Sequence, residues 1–323
     1  MKTTPLETSG SKALRRSATY LGLGTYLGLA GALLAMIVLF SLLSSHFWSY
    51  ATFSTLANQI PDLMVLAVGM TFVLIIGGID LSVGSVLALA ASTVSVAILG
   101  WGWGVLPAAL LGMAIAAVAG SITGAVTVAW RIPSFIVSLG VLEMARGLAY
   151  QFTDSRTAYI GDAYAWFSNP FAFGISPAFI IALLVIILAQ LVLTRTVFGR
   201  HLIGIGTNEE AVRLAGIDPR PYKVLVFALM GLLAGLAALF QISRLEAADP
   251  NAGSGLELQV IAAVVIGGTS LMGGARLGDQ YLFRRADHFS AGSRPGADRR
   301  LRTDQAHHHR GGDRHRRGAR HLP

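Results

Sequence analysis

Few residues of this 323-residue chain combine a reactive type with a useful spacing, and the first of them is a carboxylate in apolar surroundings. Asp80 stands in Gly77-Gly78-Ile79-Asp80-Leu81-Ser82-Val83-Gly84-Ser85, between two apolar stretches. An ionisable group at membrane depth is costly and faces protein, water or a partner. The flanking glycines permit backbone shapes that a regular helix does not take. Two compatible readings cover Gly77, Gly78, Asp80, Ser82 and Gly84. They form a polar helix break beside a translocation pathway, or Asp80 caps the following helix by accepting from its first free N–H groups.

The second cluster lies in Phe198–Pro221, the longest polar segment before the tail. Thr207 or Asn208 can cap a short helix that carries Glu209 and Glu210 in its first turn, near the positive end of the dipole. Ala211, Leu214 and Ala215 give it an apolar stripe, and Gly216 can end it in a left-handed turn. Pro219 and Pro221 bar simple continuation. Such a turn suits docking into a groove on a partner, or it is an ordinary solvated connector. A third segment, Val264 to Gly274, has paired glycines after an apolar run, which read as a helix end.

Other polar residues have plainer readings. His46, beside Phe47, Trp48 and Tyr50, fits an aromatic belt at the membrane interface. Glu143 and Arg146 are spaced for an i,i+3 pair, structural or lining a route. Arg244, Glu246 and Asp249 read as an exposed outer loop. Cysteine is absent, so thiolate metal sites and disulfides are excluded. The late glycines lack the Lys-Ser/Thr of a phosphate-binding loop. No nucleophile triad or zinc-ligand set emerges before the tail. The sequence therefore offers no catalytic, cofactor-binding or metal residue, and the chain reads as a non-enzyme.

The elements that must position these groups are membrane helices. Charged residues make up 13% of the chain against 54% hydrophobic, where a soluble domain carries about a quarter charged. A crossing needs about 20 apolar residues. Candidate spans are 21–43, 58–77, 83–100, 105–129, 133–151, 176–194, 222–243 and 257–272, the last one short. The expected fold is an all-α polytopic transmembrane bundle of about eight spans. The alternation that an outer-membrane barrel needs is not visible. Lys12, Arg15 and Arg16 precede the first run, which is longer than a signal-peptide core, so it reads as a retained span. Basic residues in short loops place the N-terminus, Arg131 and the Arg195–Lys223 region in the cytoplasm. The loop 152–175 then faces out.

Residues 279–323 differ in kind. They hold 11 of the 25 Lys and Arg and 6 of the 8 His. The basic balance of the chain is thus local to this tail and no nucleic-acid footprint. Shifting Arg, His and Asp codons by one base gives codons for Val, Ala, Gly, Ile and Thr. A reading frame lost near Gly278 therefore explains the tail. The rival is a native, disordered basic tail drawn to anionic lipid or nucleic acid. His307 to His309 have no partner ligands at useful spacing. The organisation expected is a cytoplasmic segment 1–20, a permease domain 21–278 and the tail 279–323.

At the three motifs the sequence resembles the ribose-type branch of ABC importer permeases, within the branched-chain amino acid and sugar permease superfamily. V-G-M-T-F-V-L-I-I-G-G-I-D-L-S-V-G-S-V, I-G-T-N-E-E-A-V-R-L-A-G-I and I-G-G-T-S-L-M-G-G carry the likeness, which spans roughly residues 20–278. The resemblance implies a permease subunit in the bacterial inner membrane, dimeric with a second permease copy and surrounded by lipid. It would receive a monosaccharide or small polyol from a periplasmic sugar-binding protein. Gly206, Thr207, Asn208, Glu209, Glu210, Ala211, Leu214 and Gly216 would form the loop that touches an ABC ATP-binding subunit. ATP-Mg would be held on that subunit and no cofactor on this chain. The alternatives are an ion-coupled secondary transporter working through Asp80 and Glu143, a membrane scaffold, or a truncated, inactive permease lacking its last helices.

Overall fold

Backbone inside hydrocarbon has no water to pair with, so a long apolar run must close its own N–H and C=O groups, as a helix does. The computed structural model describes residues 31–171 and 174–269, and this part is helical nearly throughout. Its helices are α1 (Gly31–Leu43), α2 (Tyr50–Gln59), α3 (Pro61–Ile75), α4 (Val83–Leu99), α5 (Val105–Trp130), α6 (Ser134–Phe152), α7 (Ala165–Ser168), α8 (Pro177–Arg195), α9 (Val197–Leu214), α10 (Arg220–Leu245) and α11 (Leu256–Ile266). Among the described residues, strand is confined to β1 (Ala158–Tyr159) and β2 (Ala247–Ala248), paired antiparallel with Ala158 opposite Ala248. The N-terminal basic segment, the first part of span 21–43, the glycine-rich segment beyond Thr269 and the basic tail lie outside the described residues.

Every expected span within that range falls on a helix, but length and composition separate them. Helices α5, α8 and α10, with 26, 19 and 26 residues, are long and apolar enough to cross a membrane, and α2 with α3 qualifies only as a pair bent by 43°. The bend lies at Pro61, which has no N–H to give to the turn before it. Helix α4 has 17 residues, and α6 carries Glu143 and Arg146. Helix α11 has 11 residues, about 16 Å at 1.5 Å per residue, or half of the hydrocarbon core. Three described helices thus meet the criterion for crossing, or four spans if the bent pair counts as one, against the eight spans expected.

The core is built on close helix approach. On α5, a Cβ added to Gly120 would collide with the Phe227 carbonyl, and one on Gly124 would meet Val224 Cα at 2.8 Å. On α10, a Cβ on Gly231 would collide with the Ala116 carbonyl, and one on Gly235 would meet Met113 Cα at 2.8 Å. Each helix thus presents two glycines four residues apart, one turn above the other, to its neighbour. Apolar burial drives little association in lipid, and small residues let backbones touch and gain dispersion contact instead. Helix α4 is buried over almost its whole length.

Helices α5 and α10 run antiparallel, Gly120 meeting Phe227 and Gly235 meeting Met113, and polar contacts gather at the two ends of this pair. At one, Tyr164 donates its hydroxyl to the Val105 carbonyl at 2.6 Å, and Ser243 Oγ donates to the Tyr164 carbonyl at 2.7 Å. Burial pushes the Tyr164 phenol up to about 12, since phenolate would lose its solvation there. The expected exposed loop after α10 is corrected in part here. Arg244 Nη2 pairs with the buried Asp62 at 3.1 Å, and Nη1 donates to the Gln59 carbonyl at 2.7 Å. Arg244 therefore fastens the end of α10 to the start of α3. Near α1, Phe47 meets Trp48 edge to face at 5.3 Å, and the Trp48 indole donates to Ser41 Oγ at 2.7 Å.

The expected Glu143–Arg146 pair does not form. Arg146 Nη1 donates to the carbonyls of Pro250 and Ala252, the latter at 2.8 Å, and Glu143 is exposed on α6. The carbonyls of Pro250 and Ala252 take the guanidinium in place of the carboxylate one turn away.

Candidate functional site: the α3–α4 break and the turn at Asn208

The α3 helix stops because Gly77 adopts φ 74°, a left-handed conformation that costs glycine nothing. The N–H of Gly78 reaches the Val73 carbonyl at 2.9 Å and that of Gly77 the Leu74 carbonyl at 2.9 Å, a Schellman ending. The chain then runs unpaired alongside the start of α6, which supplies what it lacks. Ser134 Oγ accepts from the Ile79 N–H at 2.9 Å and donates to the Ile79 carbonyl at 3.0 Å, and Ser138 Oγ accepts from the Leu81 N–H at 3.0 Å. Two serines four residues apart on one helix face thus stand in for a missing turn of helix. Asp80 is 2% exposed. Its Oδ1 accepts from the Ser82 N–H at 2.8 Å and from Ser82 Oγ at 2.6 Å. Asp80 therefore closes a local turn leading into α4 rather than bonding to the first turn of α4 itself.

Gly84 touches a second irregular stretch. A Cβ there would collide with the carbonyl of Gly253, in the loop between α10 and α11. That loop is the one held by Arg146, and Tyr150 adds a hydrogen bond to Asn251 Oδ1. The break and the loop before the half-length helix α11 are thus back to back.

Helix α9 begins under Thr196, whose Oγ1 accepts from the Gly199 N–H at 3.2 Å. His201 Nδ1 lies 2.7 Å from Tyr222 Oη, and Phe198 stacks on the same ring at 5.8 Å, fixing α9 to α10. At Asn208 the backbone becomes extended (φ −161°, ψ 95°) and the helix divides. Of the two capping candidates it is Asn208 that acts, its Oδ1 accepting from the Ala211 N–H at 2.9 Å, while Thr207 Oγ1 donates back to Ile203 at 2.8 Å. A short side-chain oxygen competes with the backbone in this way and starts a new turn. The turn ends at Gly216 with φ 84°, closed by bonds from Gly216 to Arg213 and from Ile217 to Val212. Glu209 pairs with Lys223 at 2.6 Å and Glu210 with Arg213 at 3.3 Å. Leu214 is 81% exposed, and Ala211 and Ala215 are exposed beside it.

A cavity of about 490 Å³ joins the two motifs, for Gly77, Gly78 and Glu209 all line it, with Arg131, Arg220 and Lys223. Asp80, Ser82 and Gly84 are not among its lining residues, and neither are Gly206, Asn208, Glu210 or Leu214. Sequence reasoning missed Ser134, Ser138, Tyr222 and Lys223. Only the serine spacing was a signal within the chain, since the other contacts join distant segments.

Residues 52–278 match the family model described as branched-chain amino acid transport system / permease component. Among curated proteins, the chain is 38% identical to the ribose import permease protein RbsC of Escherichia coli K12, over 75% of this chain and 77% of that protein. It is 37% identical to the ribose import permease protein RbsC of Bacillus subtilis 168, over 85% and 84%. It is 34% identical to the autoinducer 2 import system permease protein LsrC of Yersinia pseudotuberculosis, over 75% and 70%. No solved structure matches the chain.

Proposed function

Because the chain belongs to the branched-chain amino acid transport system permease family, we propose that it is the membrane-spanning subunit of an ATP-driven importer for a monosaccharide or similar small polyol. The names of its relatives, which include a fructose import permease, supply the substrate class. On this reading the Arg131 end faces the cytoplasm and the Tyr164 end the periplasm, where a sugar-binding protein delivers the substrate. Two copies form the pathway, each with about eight spans in residues 21–278.

The observation that carries the reading is the turn Glu209–Leu214. It is capped, rooted on α10 through Lys223, and its apolar Leu214 points into solvent. An exposed leucine on a fixed turn is what a partner's groove would take. Closure of the ATP-binding subunits would push the turn, and α9 and α10 would carry the displacement to the α3–α4 break along the cavity they share. Asp80 is engaged with Ser82, which favours this reading over ion coupling through that carboxylate.

The test is co-purification of the tagged chain with a co-expressed ATP-binding subunit from the same organism's sugar importers, followed by uptake in vesicles. The reading requires a stable complex and uptake that stops when ATP is removed with the ion gradient kept. Uptake that follows the gradient alone would replace it with a secondary transporter.

A further inference from the structure

The lining of the shared cavity does not suit a sugar. Arg131, Arg213, Arg220 and Lys223 all face it, with Glu209 as the one carboxylate. A polyol brings hydroxyls and no charge, and four cations around one carboxylate select for an anion. Glu209 engages Lys223 and Glu210 engages Arg213. Arg131 and Arg220 form no ion pair among the described residues. Arg131 is held with φ 55° just after α5, a conformation that persists only where surroundings hold it. Thr127, one turn before it, also lines the cavity, and its buried hydroxyl finds no partner among the described residues. A buried hydroxyl left alone is costly and marks a place for an outside group.

We propose that this cavity binds a phosphate group, and that the group belongs to an anionic lipid headgroup. Guanidinium forks match phosphate oxygens two at a time, and the Thr127 hydroxyl supplies a further donor. The lipid source follows from Trp130, which is 69% exposed beside Arg131. An exposed indole at the end of a membrane helix lies at headgroup level. Ile76, Ile132 and Phe227 complete the wall with apolar surface that the first methylenes of an acyl chain would meet.

The experiment is native mass spectrometry of the full chain in neutral detergent, titrated with phosphatidylglycerol or phosphatidylcholine. Phosphatidylglycerol should bind about tenfold more tightly, and R131Q/R220Q should bring the two lipids level. R195Q, a basic residue outside the cavity lining, should behave as wild type. If the double variant does not fold, R220Q alone, on an exposed side chain with no ion pair among the described residues, should give the same loss at smaller amplitude. A parallel thermal-shift arm uses inorganic phosphate. If phosphate stabilises wild type and not the variant while the lipids bind equally, the anion site holds and its ligand is the free ion. Equal binding of both lipids without a phosphate effect overturns the proposal, as does a double variant that discriminates like wild type.

Discussion

Lys223 Nζ lies 2.6 Å from the Glu209 carboxylate, and this contact joins α9 to α10 beside the cavity that Arg131 also lines. It links the first residue of the capped turn to the first turn of α10, so motion of the one reaches the other. The pair is half in solvent, and such pairs are worth about 0.2–1 kcal/mol. Its substitution should therefore leave the thermal midpoint nearly unchanged and act on coupling. Glu209→Lys should weaken ATP-binding-subunit capture and uptake, and adding Lys223→Glu should restore part of both. Capture unchanged by the single substitution would separate Glu209 from coupling.

The cap makes a second, local prediction. Asn208→Ala removes the acceptor for the Ala211 N–H, a change worth about 0.5–2 kcal/mol. Amide exchange should quicken in residues 209–214 and stay as it was in the first part of α9. Asn208→Asp, which keeps the acceptor, should retain protection.

The glycine contacts predict a global effect. A methyl at Gly120 or Gly231 enters carbonyl oxygen of the facing helix, and overpacking of this kind costs about 1–3 kcal/mol or more. Gly120→Ala and Gly231→Ala should each lower the midpoint of unfolding in detergent. Gly140→Ala, where an added Cβ meets nothing within 4 Å, should not.

Tyr164 predicts a dependence on alkali. Its folded value of about 12 lies above the ordinary 10.0, so the neutral phenol favours the folded state. That contribution is complete below about pH 10 and is lost as pH rises through 12. Unfolding midpoints should fall across this window, and Tyr164→Phe should be lower at neutral pH but flatter above pH 10.

Much of the helix pattern was legible because lipid leaves a long apolar run no alternative to a helix. A cap at Thr207 or Asn208 and the stops at Gly77 and Gly216 were legible for a similar reason, being local backbone chemistry, and the structure chose Asn208. The contacts of Arg146 and Arg244 were not, because their partners lie 104 and 182 residues away in the chain. The spacing of Glu143 and Arg146 pointed to a pair that longer-range carbonyls displaced. The glycines of α5 and α10 repeat every four residues in the sequence, but nothing local says which helix each pair faces.

The tail has its own check. The family match ends at residue 278, where the basic composition begins. Re-sequencing the gene across this point should reveal a one-base slip, and restoring the frame should give apolar segments after Gly278. An intact frame would make the basic segment native.

The central claim is that the turn at Asn208–Leu214 is where an ATP-binding subunit attaches. Co-purification of wild type and Leu214→Asp with that subunit tests it most directly. The exposed Leu214 contributes little to this chain's own packing, so both proteins should fold equally well, with the subunit retained by wild type and lost from the variant. Equal retention by the two would contradict the account.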